Sequence, residues 1–194
     1  MRWLLLLIGL ASAGPATSDL PLGRDLRVSV ADDHVFVQVR AQGEPRSLGL
    51  STWADFDRDR DGSLDAGERV PLLEALRREE CRYAALSVGE QPVPLARFEV
   101  IGLNLPERLA LDAPLGFRVQ GRLALSLPPD GLPFVFYDRP SAWQGAVPIR
   151  LSVAEGLRVV GVQGEGRREL RSPQRLDAVL TNGTPAVWGR IERE

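Results

Sequence analysis

Apolar and polar side chains alternate along most of this chain. Val35, Val37 and Val39 alternate with Phe36, Gln38 and Arg40. A period of two puts the two sets on opposite faces of a strand. Residues 26–30 show the same rhythm, and Ala31-Asp32-Asp33 can turn between the two runs, so a first hairpin is expected. The clearest strand covers 117–127. Phe117, Val119, Leu123, Leu125 and Leu127 share one face with Gly121, and Arg118, Gln120, Arg122, Ala124 and Ser126 share the other. Further strands are expected at 86–88, 97–101, 134–137, 149–153 and 157–162. Glu155-Gly156 is the expected hairpin turn between the last two. Residues 163–175 are polar and rich in Gly and Arg, which predicts a loop.

One stretch, about 47–84, breaks this rhythm. Leu72, Leu73, Leu76 and Tyr83 fall on one face at 3.6 residues per turn, the mark of an amphipathic helix. Glu80 intrudes on that face, so the helix is expected to fray or bend there. Short strands separated by turn signals, with one helical interlude, predict a mainly β fold, an antiparallel β-sandwich-like domain with one inserted helix-loop-helix.

The start of the chain changes the domain plan. Arg2 precedes an apolar run from Trp3 to Leu10, which is too short to span a bilayer. Ala11-Ser12-Ala13 fits a small-x-small cleavage site, with a second candidate at Ala16. Residues 1–16 are therefore expected to be a signal peptide, and 17–194 a single β-rich domain, periplasmic or secreted. No later run reaches the length of a membrane span.

Composition narrows the chemistry. The chain has 194 residues, 44% of them hydrophobic, enough for a sizeable core. Its 19 glycines and 15 prolines favour turns and short elements over a helical bundle. All 24 basic residues counted as Lys or Arg are Arg, so lysine Schiff-base and P-loop chemistry are excluded. They are scattered along the sequence, and the net charge is -2, which argues against nucleic acid as the main partner. Cys81 is the only cysteine, so no internal disulfide can form, and it is expected as a partly buried small residue beside the helix. His34 is the only histidine, which rules out zinc sites built from several His or Cys and leaves one candidate for any His-based triad. No G-x-S-x-G elbow is present. His34 is expected on the polar face of a strand. Trp143, Tyr137 and Phe136 could line a sugar cleft or fill a β core. Asn182-Gly183-Thr184 forms a glycosylation sequon.

The one segment that carries specific chemistry is 57–68, Asp-Arg-Asp-Arg-Asp-Gly-Ser-Leu-Asp-Ala-Gly-Glu. It satisfies D-x-D-x-D-G-x₅-E without a mismatch. Ca²⁺ is a hard cation that takes six to eight oxygens at ~2.3–2.6 Å. Asp57, Asp59 and Asp61, two apart, can all aim inward from a curling loop. Gly62 stands where a sharp turn demands permissive backbone angles. Ser63 can offer its carbonyl, Asp65 a direct or water-mediated contact, and Glu68 both carboxylate oxygens. Leu64 can anchor the loop to the core, and Trp53 and Phe56 precede it.

These residues resemble the EF-hand family over about 50–82. The resemblance implies an entering helix, the loop and an exiting helix, with Asp57, Asp59, Asp61, Ser63, Asp65 and Glu68 as the metal ligands and Ca²⁺ as the ion. Two positions depart from the pattern: Arg69 stands where an apolar residue is usual, and Pro71 lies inside the exiting helix. No second loop is found, which implies a structural site rather than a sensor. The order of leader, strands, a single EF-hand with Pro71 three residues after Glu68, and a β-rich remainder also resembles a family of bacterial periplasmic domains. Those occur alone or fused to nickel- or cobalt-type permeases. His34-Val35-Phe36-Val37 is similar to a segment near their mature N-terminus, and this resemblance implies an accessory role in divalent metal transport. A calcium-binding, non-enzymatic domain with a possible protein partner is the leading expectation. The transport accessory and a carboxylate-dependent hydrolase are the alternatives.

Overall fold

The computed structural model describes residues 23–43, 55–105, 114–138, 145–164, 167–181 and 186–194. The expected signal peptide, Trp53, Trp143 and the 182–184 sequon lie outside them. The described chain forms β1 (Gly23–Val30), β2 (His34–Gly43), α1 (Ala66–Tyr83), β3 (Ala84–Val88), a 3-10 turn (Leu95–Arg97), β4 (Glu99–Asn104), β5 (Leu115–Ala124), β6 (Leu132–Asp138), β7 (Val147–Val153), β8 (Leu157–Gly164), β9 (Arg168–Ser172), β10 (Arg175–Leu180) and β11 (Ala186–Arg193).

The strands make two sheets, one in the order β4-β5-β2-β1-β7-β10-β9 and one in the order β3-β6-β11-β8. Their inner faces share one apolar core, as expected for a sandwich. The period-two pattern decides which side chains enter it. Along β7, Val147, Ile149, Leu151 and Val153 are buried while Pro148, Arg150 and Ser152 are exposed. The first hairpin pairs as the alternation requires, with Val28 opposite Val37 and Val30 opposite Val35. Phe134 and Phe136 stack in the centre of the smaller sheet with ring centroids 5.1 Å apart. Phe136 therefore fills the core and lines no cleft. Gly121 faces the same core, where the Phe98 ring lies over it. A Cβ there would come within 2.3 Å of Phe98 Cδ1, so only glycine fits without displacing the ring.

Several elements differ from the sequence reading, each for a physical reason. The larger sheet is not wholly antiparallel, because β1 and β7 pair in parallel, with Leu26 beside Ile149 and Val28 beside Leu151. The Glu155-Gly156 turn exists but is no hairpin. β7 lies in one sheet and β8 in the other, so the turn is a corner that carries the chain across the sandwich. Side-chain alternation reports a strand's inner face but not which sheet holds it. Within 163–175 the described residues form the end of β8, then β9 and the start of β10, where a loop was expected. β9 is an edge strand whose residues stay largely exposed, so it needs no apolar face and shows no alternation. The strand expected at 97–101 starts at Glu99, after the 3-10 turn. β5 starts earlier than 117 and ends at Ala124, and Leu127 is buried beyond it.

The helix corrects a further expectation. It runs unbroken past Pro71 to Tyr83 and does not fray at Glu80. Leu72 and Leu76 are fully buried, and Glu80 is buried beside them. Arg24, whose side chain points inward from β1, supplies the partner. Its Nε donates to Glu80 Oε2 at 3.1 Å, and its Nη1 donates to Asp138 Oδ1 on β6 at 2.7 Å. Burial alone would pull the Arg24 guanidinium down, but Glu80 and Asp138 outweigh it and hold the pKa above its ordinary value.

Candidate metal centre

The loop is short, polar and solvent-facing, and local hydrogen bonds shape it. Asp57 sits at its start. Asp57 Oδ1 accepts the Asp61 N–H at 3.2 Å, and Oδ2 accepts the Gly62 N–H at 3.0 Å. Asp59 Oδ1 accepts the same Asp61 N–H at 3.2 Å. The carboxylates thus curl the backbone around themselves, as short Asp side chains do in turns. Two residues take positive φ to close the curl, Arg60 at 61° and Gly62 at 80°. Left-handed backbone costs a residue with a Cβ roughly 1–2 kcal/mol, so Arg60 marks strain that the loop's other bonds must offset.

This curl brings Asp57, Asp59 and Asp61 together. One oxygen from each lies within 4.8 Å of the others, an arrangement able to hold a metal ion. Ser63 braces the third carboxylate. Its N–H and its hydroxyl both donate to Asp61 Oδ1, at 2.7 and 2.6 Å, and these bonds hold the Asp61 pKa below its usual range. Asp59 moves the other way. The Asp61 N–H pulls it down, yet partial desolvation, the negative charges of Asp61 and Glu68 and a hydrogen bond with Asp57 together leave it raised.

Asp65 and Glu68 take another place in the structure. Asp65 is the N-cap of α1, and its Oδ1 accepts the Glu68 N–H at 2.9 Å. Glu68 reaches back, and its Oε2 accepts the Asp65 N–H at 3.1 Å, which completes a capping box. Its Oε1 also accepts the Arg58 N–H at 2.6 Å. Glu68 is only 6% exposed, and both of its carboxylate oxygens accept backbone N–H groups. The six sequence-chosen residues therefore form two adjacent groups: Asp57, Asp59 and Asp61 braced by Ser63, and Asp65 with Glu68.

Flanking residues anchor the loop. Leu64 is 2% exposed and Phe56 packs against the core, while the remainder of the entering segment lies outside the described residues. Arg69 does what an apolar residue could not. Its Nε donates to the Leu64 carbonyl at 2.9 Å and ties the first helical turn to the loop. The departure at Arg69 thus has a structural use that spacing alone does not reveal, because its reach back to that carbonyl depends on how the loop folds.

The remaining candidates lie apart from this centre. His34 opens β2, where its Nδ1 lies within hydrogen-bond distance of both Asp33 Oδ1 and Arg122 Nη2 at the sheet surface and can bond only one of them at a time. Cys81 is partly buried on the flank of α1, and desolvation pushes its thiol up. No helix among the described residues is long and apolar enough to cross a membrane. The chain matches no protein-family model and no curated protein sequence.

Proposed function

We propose that the 57–68 loop binds one Ca²⁺, as the EF-hand resemblance implies, and that the ion serves as a clasp in an exported β-rich domain rather than in catalysis. The observation that carries this reading is the convergence of Asp57, Asp59 and Asp61 oxygens within 4.8 Å on a loop with Gly62 at positive φ. The donor set is entirely oxygen, which suits a hard cation and not zinc. Asp57, Asp59 and Asp61 would give one side chain each, Ser63 its carbonyl, Asp65 a direct or water-mediated contact and Glu68 both oxygens. The ion supplies positive charge that neutralises crowded carboxylates. Glu68, which accepts the Arg58 and Asp65 N–H groups, would turn its carboxylate from these to the ion. An affinity of ~10⁻⁴–10⁻³ M suits a periplasmic or secreted module, where calcium is plentiful.

Calorimetric titration of the full chain with Ca²⁺, Mg²⁺ and Ni²⁺ tests the reading. One equivalent of Ca²⁺ should bind, more tightly than Mg²⁺ or Ni²⁺, and binding should be lost in Glu68→Gln and in Asp59→Asn. Calcium binding that persists in Glu68→Gln would refute the ligand set, and tighter binding of Ni²⁺ would refute the choice of ion.

A further inference from the structure

The two sheets turn different surfaces outward. On the larger sheet charges stand opposite one another across the strands, Asp25 across from Arg40 and Asp177 across from Arg150. On the smaller sheet the register builds an uncharged row. Pro92 pairs with Ser87, Ser87 with Val135, Val135 with Trp188 and Trp188 with Gln163. Directly paired residues share a face, and the chain neighbours Leu86, Phe134, Phe136 and Val187 are buried, so this row lies on the outer surface. A second uncharged row, Ala85, Tyr137 and Ala186, runs beside it. Arg190, the next outward residue on β11, turns its guanidinium aside to the Asp130 carbonyl. Of the four large apolar side chains exposed among the described residues, two, Val135 and Trp188, stand side by side here. Ser87, Val135 and Tyr137 also line a groove of about 320 Å³, together with Pro92 and with Cys81 near the end of α1.

We propose that this face binds a neutral glycan, an extended chain of β-linked sugars. The chemistry of the row points to sugar. Trp188 Nε1 donates to Gln163 Oε1 at 3.2 Å, which steadies the indole and leaves the Gln163 amide N–H groups as donors for a ligand. The C–H face of a sugar ring packs on an aromatic face, and its rim of hydroxyls needs polar partners. Ser87, Gln163 and the Tyr137 hydroxyl supply them on either side of the apolar centre. Neutrality follows from the two rows, which offer a charged polymer no counter-charge. Shape selects the linkage. Four strand spacings of ~4.8 Å make the row about 19 Å long, and it is straight, so a flat ribbon can follow it while a coiled α-linked chain would touch it at one point. Size argues against a protein partner. Two rows ~7 Å apart and ~19 Å long cover on the order of 200 Å². Each partner in a stable protein complex buries ~800 Å².

The test is calorimetric titration of the full chain with cellohexaose and with N-acetylchitohexaose, two neutral β-linked ribbons, and with maltohexaose, an α-linked coil of the same length. At least one ribbon should bind, more tightly than maltohexaose, and added NaCl should leave its affinity unchanged. Trp188→Leu keeps an apolar side chain but removes the aromatic face, and should weaken binding on the order of ten-fold or more. Trp188→Tyr should keep most of the affinity. Phe36→Leu, on the outer face of the other sheet, should leave it unchanged. The variants are first shown to unfold like the parent. The proposal is overturned if neither ribbon binds, if maltohexaose binds as tightly as the better ribbon, or if Trp188→Leu binds like the parent. Sedimentation equilibrium checks another occupant. A ligand-free dimer that Trp188→Leu takes apart would put a second copy of the chain on this face and would overturn the proposal too. The titration reads no metal, so its outcome is independent of the calcium loop.

Discussion

Arg24 Nε donates to Glu80 Oε2 at 3.1 Å across 56 residues of sequence, and both side chains are almost wholly buried. The pair joins β1 to α1. Through Asp138 it also reaches β6, in the other sheet. The helix that leaves the acidic loop is therefore tied by its last turns to both layers of the sandwich. Its first turn is tied to the loop by Arg69 and by the Asp65–Glu68 capping box. Order in the loop and order in the core meet along one helix.

Removing one member of such a pair leaves a charge buried without its counter-charge. Arg24→Met should therefore destabilise the protein by about 3–5 kcal/mol, Glu80→Met, which leaves Arg24 paired with Asp138, should cost less, and Arg24→Met/Glu80→Met should recover part of the Arg24→Met loss. Denaturant unfolding of the two single variants and the double variant measures the coupling directly. If the double variant is as unstable as the sum of the singles, the two side chains do not act as a unit.

Asp138 makes the same cluster respond to pH. Burial raises its pKa, and the Arg24 guanidinium only partly opposes the rise. A carboxyl whose folded pKa lies above its unfolded value contributes stability that is fully present below the unfolded pKa. That contribution is lost as pH rises through the folded pKa. Asp138→Asn keeps an oxygen for Arg24 Nη1 but has no such titration. The parent should therefore lose stability relative to Asp138→Asn as pH rises from below about 4. The difference should level off above the folded pKa. A difference that is flat with pH, or that grows in the parent's favour, would show that pairing outweighs burial.

Gly121→Ala should destabilise by about 1–3 kcal/mol, because the new methyl would lie 2.3 Å from the Phe98 ring in a filled core. Phe98→Leu in the same chain should lower the cost, because it removes the ring that meets the methyl. Thermal unfolding of the single and double variants checks this. A neutral Gly121→Ala would mean that Phe98 can move aside freely.

Much of this was legible in the sequence, and the limits have physical causes. The acid-rich loop was legible because three carboxylates can converge only at fixed spacing, and the structure brings Asp57, Asp59 and Asp61 together as that spacing implies. Most strands were legible because half-buried sheets leave alternation behind, as in β2 and β7. β11 escaped, although Val187 and Ile191 alternate with Trp188 and Arg190, because Gly189 interrupts the apolar set. β9 escaped because an exposed edge strand needs no apolar face. The corner between β7 and β8 was unreadable, since alternation does not say which sheet a strand joins. Glu80 looked like a flaw in the helix because its partner lies in a distant strand.

Glu68 stands in two devices at once, and the difference between two substitutions separates them. Among the residues described, its carboxylate accepts from Asp65 and Arg58 and holds the first turn of α1. Gln can complete a capping box as Glu does, but it gives up the negative charge that a calcium site requires. In chelator, Glu68→Gln can keep only one of the two N–H bonds, because its amide nitrogen cannot accept, and should lose about 0.5–1 kcal/mol. Glu68→Ala should lose about 1 kcal/mol or more, through the cap and the buried contacts together. With Ca²⁺ added, the parent should gain stability as the ion binds the folded state alone, and neither variant should gain any. Thermal unfolding with and without the ion reads all six values. A Glu68→Gln protein that is stabilised by Ca²⁺ as much as the parent would leave Glu68 as a helix cap and nothing more. One already weakened in chelator by as much as Glu68→Ala would show that the cap depends on charge.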